Sequence, residues 1–397
     1  MKDDNARQLR AIRVWLTEDG CDLEAFRVLV ERSVNPADYP FASDVVSNVL
    51  VYDGDAVSRV AASPETRREL MAEWVEAMTY GPGVIAFRGA FADLKPIEAA
   101  NAHFWAMIDD QRRNNAGGGD HFAKPGANDR VWNALEKLCL ADPAGFAAYY
   151  GNPIIALVSE AWLGPGYQIT SQLNVVNPGG EAQVPHRDYH MGFQTAREIE
   201  RFPAHAHRMS PMLTLQGAVA HCDMPLESGP TLYLPFSQAY LPGYLAAARL
   251  EFRAYFEAHK VQLPLAAGDA VFFNPALFHL AGTNRSASIK RIGNLLQVST
   301  PYGRAMESVD RLRMSLALYP VLQRLLAEKA ITAEAADNTI AASAEGYAFP
   351  TNLDRDPAIG GMAPQSQQAL MRQALKENWT RGAFAKAAEA QAWRKLT

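Results

Sequence analysis

Cysteine is scarce in this chain. Its 397 residues hold three, Cys21, Cys139 and Cys222, far apart and without C-x-x-C spacing. That pattern argues against a disulfide framework or a thiolate zinc site, and the expectation is buried thiols. Long apolar runs are lacking too. No stretch supplies the roughly twenty apolar residues of a membrane span, and Met1-Lys2-Asp3-Asp4-Asn5 leads into charged residues instead of the apolar core of a signal peptide. A cytoplasmic protein without membrane partners is the simplest expectation. Positive charge is not in excess either: the formal net charge is -5, with no Lys/Arg stripe to track a phosphate backbone, so a small molecule is a better partner than nucleic acid. Hydrophobic residues make up 48% and charged residues 20%, enough for a large core in an ordinary globular protein.

The chain has no internal repeat, but its texture changes twice. Ser63-Pro64-Glu65 has the form of a helix start, and Leu70, Met71, Trp74, Val75 and Met78 then recur at helical spacing until Gly81-Pro82-Gly83 stops them. Val84-Ile85-Ala86-Phe87 reads as a strand and roughly Pro96 to Arg112 as a second helix. From about Gly166 to Gly303 short apolar runs are broken by Pro and Gly: Tyr167 to Val176, Met212 to Ala220, Thr231 to Leu234, Ala270 to Phe273 and Ile292 to Val298. This density of short strands predicts an all-β sandwich or barrel. Beyond Met306 the pattern is helical again, with a final helix across Ser366 to Trp379 and a long Pro/Gly-rich loop from Tyr347 to Pro364. The expected division is a helical N-terminal region (1–160), a β core (161–305) and a helical extension (306–397), together forming one catalytic unit.

In Val184-Pro185-His186-Arg187-Asp188, alternate residues of an extended segment point the same way about 6 to 7 Å apart, so the His186 imidazole and the Asp188 carboxylate can converge on one cation. A later His279, after the run Gly268-Asp269-Ala270-Val271-Phe272-Phe273, can complete the set. Two neutral nitrogens and one carboxylate suit ferrous iron and leave one face of the ion open for chemistry. H-x-D also arises by chance, and a lone histidine is more often a hydrogen-bonded core or surface residue. His190 shares the parity of His186 and Asp188, but three ligands on one extended strand would span about 13 Å, so a place beside the ligands or the substrate suits it better.

The ordered set carries more than any piece of it. Val184-Pro185-His186-Arg187-Asp188, then Glu227-Ser228-Gly229-Pro230-Thr231-Leu232-Tyr233-Leu234-Pro235-Phe236-Ser237, then Gly268-Asp269 before an apolar strand, His279 and Asn284 together resemble the phytanoyl-CoA dioxygenase family of iron(II)- and 2-oxoglutarate-dependent oxygenases. The resemblance is strong over about Gln172 to Gln297 and weaker over Tyr80 to Gly89. It implies a double-stranded β-helix (a cupin-like jelly roll) flanked by helices, in a chain that is mainly β within the α+β class. It also implies iron(II) held by His186, Asp188 and His279, with 2-oxoglutarate and O2 as cosubstrates. The implied reaction is hydroxylation with release of succinate and CO2. Related halogenases have a small residue in place of the carboxylate, so Asp188 argues for hydroxylation or another oxidative outcome. A divalent-metal hydrolase or isomerase, or a jelly-roll binding module without turnover, is the alternative.

In this family a basic residue after the distal histidine holds the far carboxylate of 2-oxoglutarate, a task for which the Arg fork outperforms Lys. Arg291 is preferred, although it stands twelve residues after His279 where the family commonly has eleven; Lys290 occupies the usual spacing and Arg285 is a third candidate. Strand parity makes Lys290 and Arg291 exclusive choices. Gln172, and with it Asn174 on the same face, could hydrogen-bond 2-oxoglutarate or substrate inside the barrel, or simply turn to water. The Gly117–Gly126 loop fits no phosphate-binding motif, but Asp120, His121 and Lys124 on it would suit a lid. His205 and His207 are expected at the surface. The helical extensions could cap the active site or build a homo-oligomer interface.

Overall fold

The computed structural model describes residues 2–114 and 126–397. Asp120, His121 and Lys124 lie outside the described residues. The chain forms two compact units from interleaved segments: one from Met1–Ala90, Gly119–Asp129 and Asn174–Gly293, the other from Phe91–Gly118, Arg130–Leu173 and Asn294–Thr397. There are eleven strands among the described residues: β1 (Asp44–Val46), β2 (Val49–Asp53), β3 (Val84–Arg88), β4 (Asn128–Val131), β5 (Gln168–Val176), β6 (Thr214–Ala220), β7 (Leu232–Leu234), β8 (Val261–Gln262), β9 (Ala270–Phe273), β10 (Phe278–Leu280) and β11 (Arg291–Ser299).

In the first unit, β1 and β2 form a hairpin closed by Ser47 and Asn48, both with positive φ, the conformation of a two-residue turn that follows strand twist. β2 pairs parallel with β3, and β9 lies antiparallel between β3 and β6. A small second sheet has the order β10-β7-β8. The two sheets share a core in which Val49, Val51, Val84, Ala86, Val271 and Phe273 meet Tyr233, Leu263 and Leu277. The opposite face of β2, β3 and β9 is buried as well. There Tyr52, Phe87 and Trp74 pack with ring centres 5.2 to 6.0 Å apart, and Phe272 closes on Phe87. Burial on both faces is why Val84-Ile85-Ala86-Phe87 is apolar throughout and does not alternate, and each large side chain so buried stabilises by about 1.5–3 kcal/mol.

The helix expected after Ser63 runs Pro64–Thr79 and supplies Trp74, although the Ser63 side chain makes no capping bond. Gly268, at φ 89°, turns the chain into β9, and the following Asp269 accepts from the amides of Gly89 and Ala266 and from Arg88 Nη1 at 2.6 Å. Gly268-Asp269 is thus a turn-and-anchor device for the strand that leads to His279.

The second unit is largely helical. Its helices include Lys95–Arg113, Pro143–Tyr150, Pro153–Leu163, Arg311–Ala327, Ala333–Ser343, Gln367–Lys376 and Arg381–Arg394. Tyr319 stacks on Phe384 at 4.1 Å and donates its hydroxyl toward Ala374 O and Trp379 O, tying three of these segments together. The expectation of a mainly β chain is therefore corrected: 48% of the described residues are helical, and the fold is mixed α/β around a mostly antiparallel large sheet. Helices such as Ala333–Ser343 and Arg381–Arg394 are alanine-rich, and small residues mark a buried stripe poorly. No helix among the described residues is long and apolar enough to cross a membrane.

Candidate metal centre

His186 and His279 are neighbours because two extended segments meet at an isolated antiparallel bridge. The His186 amide donates to His279 O at 3.1 Å and the His279 amide to His186 O at 3.2 Å. Gln183 N to Ala281 O and Asp188 N to Pro275 O extend the pairing on either side. On its other edge His279 pairs with Tyr233 in β7, so the run Thr231 to Leu234 is the strand that carries β10 and with it the distal histidine.

His186 Nε2 lies 3.5 Å from Asp188 Oδ1, and His279 Nε2 3.7 Å from Asp188 Oδ2. One donor atom from each of the three residues falls within 4.8 Å of the others, the only such group of metal-capable side chains among the described residues. The tautomers follow from the neighbours. His186 Nδ1 is 2.7 Å from Val184 O and His279 Nδ1 is 2.9 Å from Leu277 O; a carbonyl can only accept, so each Nδ1 carries the proton and each Nε2 turns its lone pair to the centre. Burial works against ionisation of Asp188, but His186 and His279 in their protonated forms, together with the Gln216 amide, outweigh it and hold the carboxyl well below the usual range while no metal is bound. Gln216 Nε2 donates to Asp188 Oδ2. These donors fit a divalent ion of iron type.

Gln216 was not singled out from the sequence. The signal available was a lone amide in the apolar strand Thr214–Ala220, on the parity of Thr214 and Ala218. His190, by contrast, does not join the centre. Tyr189 and His190 both take positive φ, which ends the extended segment right after Asp188 and starts a short 3-10 turn, so the parity that linked His190 to the ligands is broken.

Of the three candidate anchors, Lys290 and Arg285 are exposed, whereas Arg291 opens β11 and is 6% exposed. Arg291 Nη1 donates to Ser228 O at 2.9 Å and Gly282 O at 3.1 Å. No carboxylate pairs with it among the described residues, and burial pushes the guanidinium down to about 10. Its carbonyl clamp depends on Gly229, at φ 73°, where a Cβ would meet Thr283 O at 2.3 Å and Gly282 O at 2.6 Å. Asn284 sets the register of the turn before it, with Nδ2 donating to Val176 O and Ile289 O and Oδ1 accepting from Ser286. Gln172 belongs to the second unit, 1% exposed, with its amide donating to Gln297 Oε1 at 3.1 Å. Asn174 Oδ1 is buried and makes no hydrogen bond. His205 is exposed as expected, but His207 is buried: the helix Ala204–Met209 turns it inward, where Nε2 is 3.2 Å from Phe202 O.

Two imidazoles and a carboxylate whose donor atoms lie within 4.8 Å of one another could hold a metal ion, and they are the donor types of a non-haem iron centre. The chain belongs to the phytanoyl-CoA dioxygenase family, whose model matches residues 66–292, more than half of it; this family uses iron(II), 2-oxoglutarate and O2. Solved structures that resemble the chain include the non-haem α-ketoglutarate-dependent epimerase SnoN from nogalamycin biosynthesis, 18% identical over 60% of this chain and 82% of that one, TM-score 0.40. A second is the same epimerase with Fe3+, α-ketoglutarate and nogalamycin RO, at 20% identity, 60% and 85% coverage and TM-score 0.39. A third is the non-haem α-ketoglutarate-dependent carbocyclase SnoK of nogalamycin biosynthesis, at 18% identity, 64% and 90% coverage and TM-score 0.42. No curated protein matches.

Proposed function

We propose that this protein hydroxylates a C–H bond of a small molecule in a 2-oxoglutarate-dependent reaction that releases succinate and CO2. Iron(II) would be held by His186, Asp188 and His279, and when bound it would supply O2 activation coupled to oxidative decarboxylation of the 2-oxo acid. The observation that carries this reading is Arg291. A guanidinium buried with only two carbonyl partners is costly unless a ligand completes it, and a dicarboxylate does so with a bidentate pair. Neither a metal-dependent hydrolase nor a passive jelly roll needs that cation.

The remaining residues set the stage. Nδ1 contacts to Val184 O and Leu277 O orient both imidazoles with Nε2 toward the centre, and Gln216 fixes the Asp188 carboxylate. Asp188 also occupies the place that a halide would need, which favours hydroxylation. Gln172, committed to Gln297, has no part in this reading. The test is anaerobic addition of iron(II) and 2-oxoglutarate, watching for a visible charge-transfer band, followed by O2 and assay of succinate. Absence of both band and succinate would overturn the proposal.

A further inference from the structure

Between His186 and Asp188 stands Arg187, whose side chain leaves the opposite face of the segment. It is 3% exposed and has no acidic partner among the described residues. Nη2 donates to Ser237 O at 2.5 Å and Tyr240 O at 2.8 Å, and the guanidinium carbon lies 5.2 Å from the ring centres of both Tyr244 and Phe278. The backbone closes on it tightly. A Cβ on Gly243 would fall 1.9 Å from Arg187 Cζ, and one on Gly192 would fall 2.0 Å from Arg187 O.

Both aromatic contacts lead back to a ligand. Phe278 adjoins His279 in β10, and the Tyr244 hydroxyl is within reach of Asp188 O at 3.4 Å and Ser210 Oγ at 3.3 Å. A buried cation without a counter-ion is a poor way to gain stability, since an apolar side chain of similar volume packs at less cost. What it adds here is direction: a planar fork on two fixed carbonyls, gripped by two aromatic faces. We propose that Arg187 is a positioning residue of the metal centre, riveting the His186–Asp188 segment to the Ser237–Tyr244 turn so that both ligands are aimed before metal binds. This rests on the ligand assignment proposed above.

The test compares wild type with Arg187→Met, Arg187→Lys and Tyr244→Phe. Iron(II) affinity is titrated anaerobically on the folded protein, cobalt(II) absorption reports ligand geometry, and the thermal midpoint is read without metal. Loss of aim should weaken iron(II) binding about 10- to 100-fold in Arg187→Met and change the cobalt spectrum, with partial rescue in Arg187→Lys. Tyr244→Phe keeps the ring and should weaken binding less, which decides the matter if the Arg187 variants fail to fold. Wild-type affinity and spectrum in the folded variants, with only the thermal midpoint lowered, would overturn the proposal. Failure of wild type itself to bind iron(II) would instead overturn the ligand assignment.

Discussion

Replacing Arg291 separates its two roles. In the ligand-free protein, burial lowers the guanidinium from its ordinary 12.5 to about 10, a cost of about 3 kcal/mol at about 1.4 kcal/mol per tenfold. Arg291→Met removes that cost but strands Ser228 O and Gly282 O, which costs about 1–3 kcal/mol. The two nearly cancel, so the thermal midpoint without ligand should stay within about 4 °C of wild type. Binding of 2-oxoglutarate should respond very differently. Loss of a bidentate charged pair removes at least about 3 kcal/mol, a Kd raised more than about 100-fold. Arg291→Lys keeps the charge without the fork and should raise Kd about 10- to 100-fold. Anaerobic titration of 2-oxoglutarate into the iron(II) protein, followed by the charge-transfer band, measures both, and iron(II) affinity serves as the internal control. Unchanged Kd in both variants, or an equal loss in Lys290→Met or Arg285→Met, would refute the anchor.

Three other outcomes are expected. Gly229→Ala forces a Cβ against Thr283 O and Gly282 O at positive φ, and should cost about 1–3 kcal/mol in urea unfolding while weakening 2-oxoglutarate binding, because the carbonyls that orient Arg291 move. Gln216→Ala frees Asp188 Oδ2 and should weaken iron(II) binding about 10- to 100-fold, read by anaerobic titration, with little change in 2-oxoglutarate affinity at saturating metal. His221 has its pKa lowered by burial from 6.5 to about 3, so the unfolded chain takes up a proton that the folded chain refuses. The stability this gives is full above pH 6.5 and is lost as pH falls, by about 2 kcal/mol at pH 5. His221→Leu should flatten that slope in unfolding measured from pH 7 to 5, and an unchanged slope would count against it.

The short strands were legible because their composition is governed locally. Ala270 to Phe273 is a strand with the bounds its apolar run suggested, and Ile292 to Val298 lies inside Arg291–Ser299. The hairpin of β1 and β2 was missed, although apolar residues flank a two-residue turn containing Asn48, whose positive φ is a known hairpin signal. Buried His207 was missed for a different reason, since a short helix decides by its docking which histidine turns inward.

By itself the sequence determined the donor pair, because alternation in an extended segment puts His186 and Asp188 on one side whatever surrounds them. It also marked Arg291 as the fork best suited to a carboxylate. Only the tertiary structure decided that His279 joins them, through a bridge between segments about ninety residues apart. It alone ended the extended run at Tyr189, buried Arg291 while leaving Lys290 in solvent, and aimed Gln216 at Asp188. Those outcomes depend on register and on which backbone carbonyls meet in space, and neither is encoded in the spacing of residues along one strand.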